Sequence, residues 1–208
     1  MLTCFVAGLD LGPATEHSGL ALLQTSSMRG PSSYAVRHLQ RWSPGTPYRE
    51  IAADVRTLLQ QEELTACPLV MDRTGVGRAV VDLFKQCSPL VRPVVVSAGH
   101  SVSCGEDGLL HVPKQELVAT LQVLLQGRRL QVAASLSLAE TLTREMVNFR
   151  TKVVLAGAEA PVAWREREHD DLVLSVALAA WQAERTPAPA GEPMALDSPR
   201  AGLPWRSA

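Results

Sequence analysis

The sequence predicts an α/β protein built on a mixed sheet: three antiparallel strands first, then parallel crossovers, flanked by helices. Three observations predict it. Apolar or alternating runs of strand length fill residues 4–42, with turn signals and no helical period between them. Short apolar strands then alternate with helical periods between residues 47 and 97. The last segment before the tail, HDDLVLSVALAAWQAE, is apolar nearly all round, so it must be a helix covered on most faces.

Each element has its own signal. CFVAGLDLG is an apolar run closed by Gly12 and Pro13, hence a buried strand. GLALLQ is the second, and YAVRHLQRW alternates as a strand with one half-exposed face. The three are close enough in sequence for an antiparallel meander. Pro47 opens a helix with apolar residues at 51, 55, 58 and 59. PLVMD, the helix RAVVDLFKQC and RPVVVS form a strand–helix–strand unit, whose spacing implies a parallel crossover. The glycine-rich 99–111 stretch reads as a loop or hairpin. A helix follows Pro113 with the stripe Leu117, Leu121, Leu124 and Leu125, then a short extended GRRLQVA. SLAETLTREMVNF is a helix that Ser137 and Glu140 could cap reciprocally, and TKVVLAGAEAPVAW reads as a hairpin. This order is the layout of the ribonuclease-H-like fold.

Composition narrows the classes. The 208 residues are 46% hydrophobic and 20% charged, which excludes a disordered chain, a collagen or a coiled coil. No apolar run is long enough to span a membrane, and the N-terminus lacks the basic region of a secretory signal. Cys4, Cys67, Cys87 and Cys104 are scattered, which suits free thiols and a cytoplasmic location. A net charge of −1 leaves nucleic-acid binding to local patches. Residues 1–184 are expected to form one domain. Residues 185–208 carry five prolines and are expected to form a mobile tail.

Four acids fall at places where a carboxylate is costly. Asp10 interrupts the first buried strand, Asp72 ends the fourth, and Asp170 and Asp171 open the last apolar helix. In the sheet order above, strands one and four are neighbours, and the final helix crosses one face, so the acids converge. Clustered carboxylates repel unless a cation sits between them, and oxygen donors favour Mg²⁺ or Mn²⁺. Two such ions would make a clamp for phosphodiester hydrolysis. Each acid also has a plainer role open to it: Asp10 or Asp72 in a turn, and the Asp170–Asp171 pair as helix-start charges.

The blocks GLDLG at 8–12, VMDRTGVGRAVVD at 70–82, VPKQELV at 112–118 and WREREHDDLVLSVALAAW at 164–181 resemble, in this order, the nuclease domain of phage terminase large subunits. That is a RuvC-like branch of the ribonuclease-H-like superfamily. The resemblance implies a Mg²⁺- or Mn²⁺-dependent endonuclease that cuts double-stranded DNA during genome packaging, in a bacterial cell or phage-infected host. It implies that Asp10 bridges two ions, Asp72 holds one, and Asp171, with Asp170 beside it, holds the other. His169 would contact a phosphate or brace a carboxylate. Candidate phosphate contacts are Arg73, Arg78, Lys114, Arg128, Arg129, Arg144, Arg150, Lys152, Arg165 and Arg167.

One departure is large. Terminase large subunits carry an ATPase ahead of the nuclease, but none of Lys85, Lys114 and Lys152 follows a glycine, so no G-K-[ST] loop is present. With only nine residues before Asp10, a chain without its own motor is expected, relying on a separate packaging ATPase or a small terminase subunit. Two other readings share the residues. One is an actin-like or sugar-kinase-type ATPase, which also enters its sheet through D-x-G. The other is a non-catalytic DNA-binding adaptor that retained the acids.

Overall fold

The computed structural model describes residues 4–26, 31–156 and 170–186, the side chains of 150–156 excepted. Strands β1 (Cys4–Asp10), β2 (Ser18–Ser26) and β3 (Ser33–Trp42) form the expected antiparallel meander. Helix α1 (Tyr48–Leu59) follows Pro47, and its buried residues include Ile51, Val55, Leu58 and Leu59. Strand β4 (Leu69–Asp72), helix α2 (Arg78–Lys85) and strand β5 (Val91–Ser97) make the crossover. β4 lies parallel to both β1 and β5. The 99–111 stretch contributes to a hairpin: β6 (Ser103–Cys104) turns through Gly108 at φ +74° into β7 (Leu110–Pro113). Helix α3 (Lys114–Gln126), strand β8 (Leu130–Val132), helix α4 (Ala139–Ala156) and helix α5 (Asp171–Arg185) complete the chain.

Among the described residues the strands form one sheet in the order β6-β7-β5-β4-β1-β2-β3-β8. Side chains alternate across it. Ala7, Leu9, Leu69 and Met71 join a core with α1 and α2, while Val6, Ala21, Val70 and Val94 join a second core with α3, α4 and α5. The same parity turns Gly8, Asp10 and Asp72 toward the α5 layer. Gly8 is where α5 settles on β1: a Cβ there would stand 2.0 Å from the Ser175 carbonyl oxygen. Gly19 on β2 does the same for the first turn, where a Cβ would be 2.7 Å from the Asp171 carbonyl oxygen. Two glycines thus bring the α5 backbone down onto the sheet. Helix α5 is buried from Asp171 through Ala183, as its composition requires.

Three expectations need correction. Residues 151–156 continue α4 and do not start a hairpin. Once a helix is under way each added residue gains a hydrogen bond, and the propensity cost of Val153 and Val154 is only a few tenths of a kcal/mol each. Helix α4 begins at Ala139, so Leu138 and not Ser137 precedes it. On α3, Val118 takes the buried place expected of Leu125, which is 44% exposed. All four cysteines are free thiols. No helix among the described residues is long and apolar enough to cross a membrane.

Candidate metal centre

Asp10 and Asp72 are the last residues of adjacent parallel strands, and they are register partners. Their backbones are therefore separated by the strand spacing of about 4.8 Å, with both side chains on one face. Carboxyl ends of parallel strands are also where open α/β sheets leave a crevice. Asp170 and Asp171 arrive from the start of α5, and Lys114 from the first residue of α3.

The electrostatics couple these residues. The Asp10 carboxyl is pushed well above its ordinary pKa of 3.8, first by burial and then by the charges of Asp72, Asp170 and Asp171. Lys114 pulls it back in part. Asp10 thus lies in the field of all three other acids named from the sequence.

The remaining contacts show how each acid is held. Asp72 Oδ1 accepts hydrogen bonds from Thr74 N–H at 2.7 Å and Val96 N–H at 3.5 Å, so Asp72 does order the turn after β4. Asp170 pairs with Lys114 Nζ at 2.9 Å. Asp171 Oδ1 accepts from Arg41 Nη2 at 2.6 Å, while its Oδ2 is buried without a hydrogen-bond partner. Asp171 is 4% exposed and the Asp170 side chain 31%, so the doublet divides into an inner and an outer carboxylate.

Two residues that brace Asp171 and its helix from outside the acid cluster escaped the sequence reading. Arg41 on β3 reaches Asp171 and also lies 3.5 Å from Glu145 Oε1. Glu145 on α4 is buried, and its Oε2 accepts from the Leu172 and Val173 N–H groups at 3.0 and 3.1 Å. Burial and Asp171 push its carboxyl up to about 7 against the hydrogen bonds and Arg41. A signal for Glu145 was present: it follows Leu142 by three positions and precedes Phe149 by four, placing an acid on the helix's apolar stripe. Arg41 had a weaker one, being two residues from Leu39 on the buried face of β3.

Several other candidate phosphate contacts pair with acids outside the cluster. Arg129 pairs with Glu184 at the far end of α5, about 20 Å along the helix from Asp171. Arg144 and Arg78 make exposed pairs within their own helices. Arg73 stays beside the site, 3.9 Å from Asp107 on the β6–β7 hairpin. His169, Arg165, Arg167 and the tail beyond 186 lie outside the described residues, as do the side chains of Arg150 and Lys152.

Among the described residues, no three His, Cys, Asp or Glu side chains are drawn together closely enough to hold an ion. Arg41 and Lys114 each hold one carboxylate of the doublet. The donor chemistry nonetheless fits a hard divalent cation. Every candidate ligand is a carboxylate oxygen, Asp10 is loaded with three neighbouring negative charges, and one buried Asp171 oxygen is unpartnered.

No protein-family model and no curated protein matches the sequence. Solved structures do match. The large terminase nuclease from thermophilic phage G20c superposes with a TM-score of 0.60 at 22% identity, over 86% of this chain and 82% of that one. Its zinc-bound form gives 0.56 at 20% identity, over 86% and 81%. The Mn-soaked human cytomegalovirus terminase nuclease domain gives 0.54 at 14% identity, over 86% and 83%. The fold is therefore ribonuclease-H-like, shared with terminase nucleases.

Proposed function

We propose that this protein is an endonuclease that hydrolyses phosphodiester bonds of double-stranded DNA, with Asp10, Asp72, Asp170 and Asp171 holding two Mg²⁺ or Mn²⁺ ions. One observation carries the reading: Asp10 sits in register with Asp72 and in the combined field of Asp170 and Asp171. An acid so surrounded is poorly stabilised as an anion without a cation nearby. Zinc-bound and Mn-soaked nucleases of the same fold support the choice of a divalent ion.

Bound ions would activate a water and stabilise the leaving 3′ oxygen. The chain's own residues provide the frame. Asp10, whose carboxyl feels the charges of the other three acids, would be shared by the ions, Asp72 would hold one and Asp171 the other, with the more exposed Asp170 beside it. Lys114 and Arg73 flank the carboxylates and can receive the DNA backbone, so binding should be salt-sensitive and weakly sequence-specific. Residues 1–184 would form the nuclease unit and 185–208 a tail. Double-stranded DNA is the proposed substrate, and a packaging ATPase and a small terminase subunit are the proposed partners.

The test is nicking or linearisation of supercoiled plasmid with Mn²⁺ or Mg²⁺. Asp10→Asn, Asp72→Asn and Asp171→Asn should each abolish cutting while circular dichroism shows a retained fold. Undiminished cutting by all three variants overturns the proposal. Binding of duplex without metal-dependent cleavage by the parent protein would instead indicate an adaptor.

A further inference from the structure

We propose that Arg41 and Glu145 are positioning residues that hold Asp171 so that one of its oxygens stays available to a metal ion. The inference rests on the metal-centre reading above and assigns a task to two residues outside the acid cluster itself.

An aspartate at the start of a helix ordinarily accepts hydrogen bonds from the exposed N–H groups of the first turn. Here that work is done from elsewhere. Asp170, at the N-cap, makes no side-chain capping bond. Glu145 reaches across from α4 and takes the N–H groups of Leu172 and Val173 on a single oxygen, Oε2. The Asp171 carboxylate is thereby released from capping. Arg41 fixes it by Oδ1 at 2.6 Å, and the same Nη2 stands 3.5 Å from Glu145 Oε1, linking β3, α4 and α5. Gly19, the register partner of Arg41, admits the first turn of α5 against the sheet at this point.

A purely structural ion triad would satisfy its own polar atoms. This one leaves Arg41 Nε, Glu145 Oε1 and Asp171 Oδ2 buried without hydrogen-bond partners. Asp171 is one of the three carboxylates whose charge acts on Asp10. One oxygen clamped and the other unclaimed is the arrangement expected of a metal ligand braced by its surroundings.

The experiment is Mn²⁺ binding without DNA, read from the electron paramagnetic resonance of free Mn²⁺, beside the Mn²⁺ dependence of plasmid nicking. Arg41→Gln and Glu145→Ala should each weaken Mn²⁺ binding about tenfold or more. Half-saturating Mn²⁺ for nicking should rise by a similar factor, with the rate at saturating Mn²⁺ within about threefold of the parent. Glu145→Gln, which keeps an acceptor for the two amides, should hold affinity within about threefold. Tighter Mn²⁺ binding by Arg41→Gln would mean that the guanidinium only competes with the ion, and would overturn the proposal. So would a loss in Glu145→Gln equal to that in Glu145→Ala. If Glu145→Ala does not fold, Arg41→Gln and Arg41→Lys decide; the lysine keeps the charge but not the fork, and parent-like binding by it overturns the proposal. Failure of the parent protein to bind Mn²⁺ would remove the metal centre itself, a result distinct from these.

Discussion

Gly8→Ala tests the link between sheet packing and the site. The added Cβ would stand 2.0 Å from the Ser175 carbonyl oxygen and 2.9 Å from the Ala179 nitrogen. Both are backbone atoms of α5, so no side-chain rotation relieves the clash. Ordinary contact begins at 3.4 Å, so helix and strand must separate by roughly 1.4 Å. Ser175 also anchors the helix, donating from Oγ to the Gly19 carbonyl at 2.7 Å, and that bond must stretch as well. Overpacking of this kind costs about 3 kcal/mol or more, which for a chain of this size lowers the melting temperature by roughly 6–12 °C. Because Asp171 opens the displaced helix, nicking should also fall, by about 100-fold for a misplacement near 1 Å. Thermal melting and plasmid nicking at one temperature, below both transitions, give the two readings. A Gly8→Ala protein that melts within about 2 °C of the parent and cuts normally would refute the close approach of α5 to β1.

Three further outcomes follow from the same geometry. Without metal, between the ordinary pKa of 3.8 and the raised native value, Asp10 holds a proton that the unfolded chain has released. The stability this supplies is full below the ordinary pKa of 3.8 and is lost as pH rises through the raised native value. Asp10→Asn should therefore melt higher than the parent in EDTA, by a margin that grows with pH; a margin independent of pH, measured by calorimetry, contradicts it. Mn²⁺ at about 100 times its dissociation constant should add about 2.7 kcal/mol to the parent's stability, reversibly with EDTA, and nothing to the Asp10→Asn/Asp72→Asn double variant. Trp181 is fully buried, its indole nitrogen is unpartnered, and Arg185 stacks on its ring 4.2 Å from the centroid. Trp181→Phe should thus cost under about 1.5 kcal/mol in urea denaturation, while Trp181→Ala costs about 3–5 kcal/mol.

The sequence carried most of the sheet because burial writes itself into short apolar runs, and Asp10 and Asp72 stood out as acids ending two such runs. The meander, the β4–α2–β5 crossover and the buried α5 were all legible for that reason. The extension of α4 was not, since Val153 and Val154 invite a strand reading locally and only continuity with the preceding turns decides otherwise. Nor was the division of labour between Asp170 and Asp171, which depends on Lys114 and Arg41 reaching in from α3 and β3. Four acids in one field do not by themselves make a closed coordination shell, and the Arg41 and Lys114 ion pairs that divide them come from elements distant in sequence.

Register pairing of Asp10 with Asp72 has a consequence for how such a protein can change. Their spacing is a lattice constant of the pleated sheet, indifferent to the length or sequence of whatever joins the two strands. Insertions, trimmed loops or a wholly different connector between them would leave that interval intact. Variation there can reshape the surface around the strand ends without changing the spacing of Asp10 and Asp72.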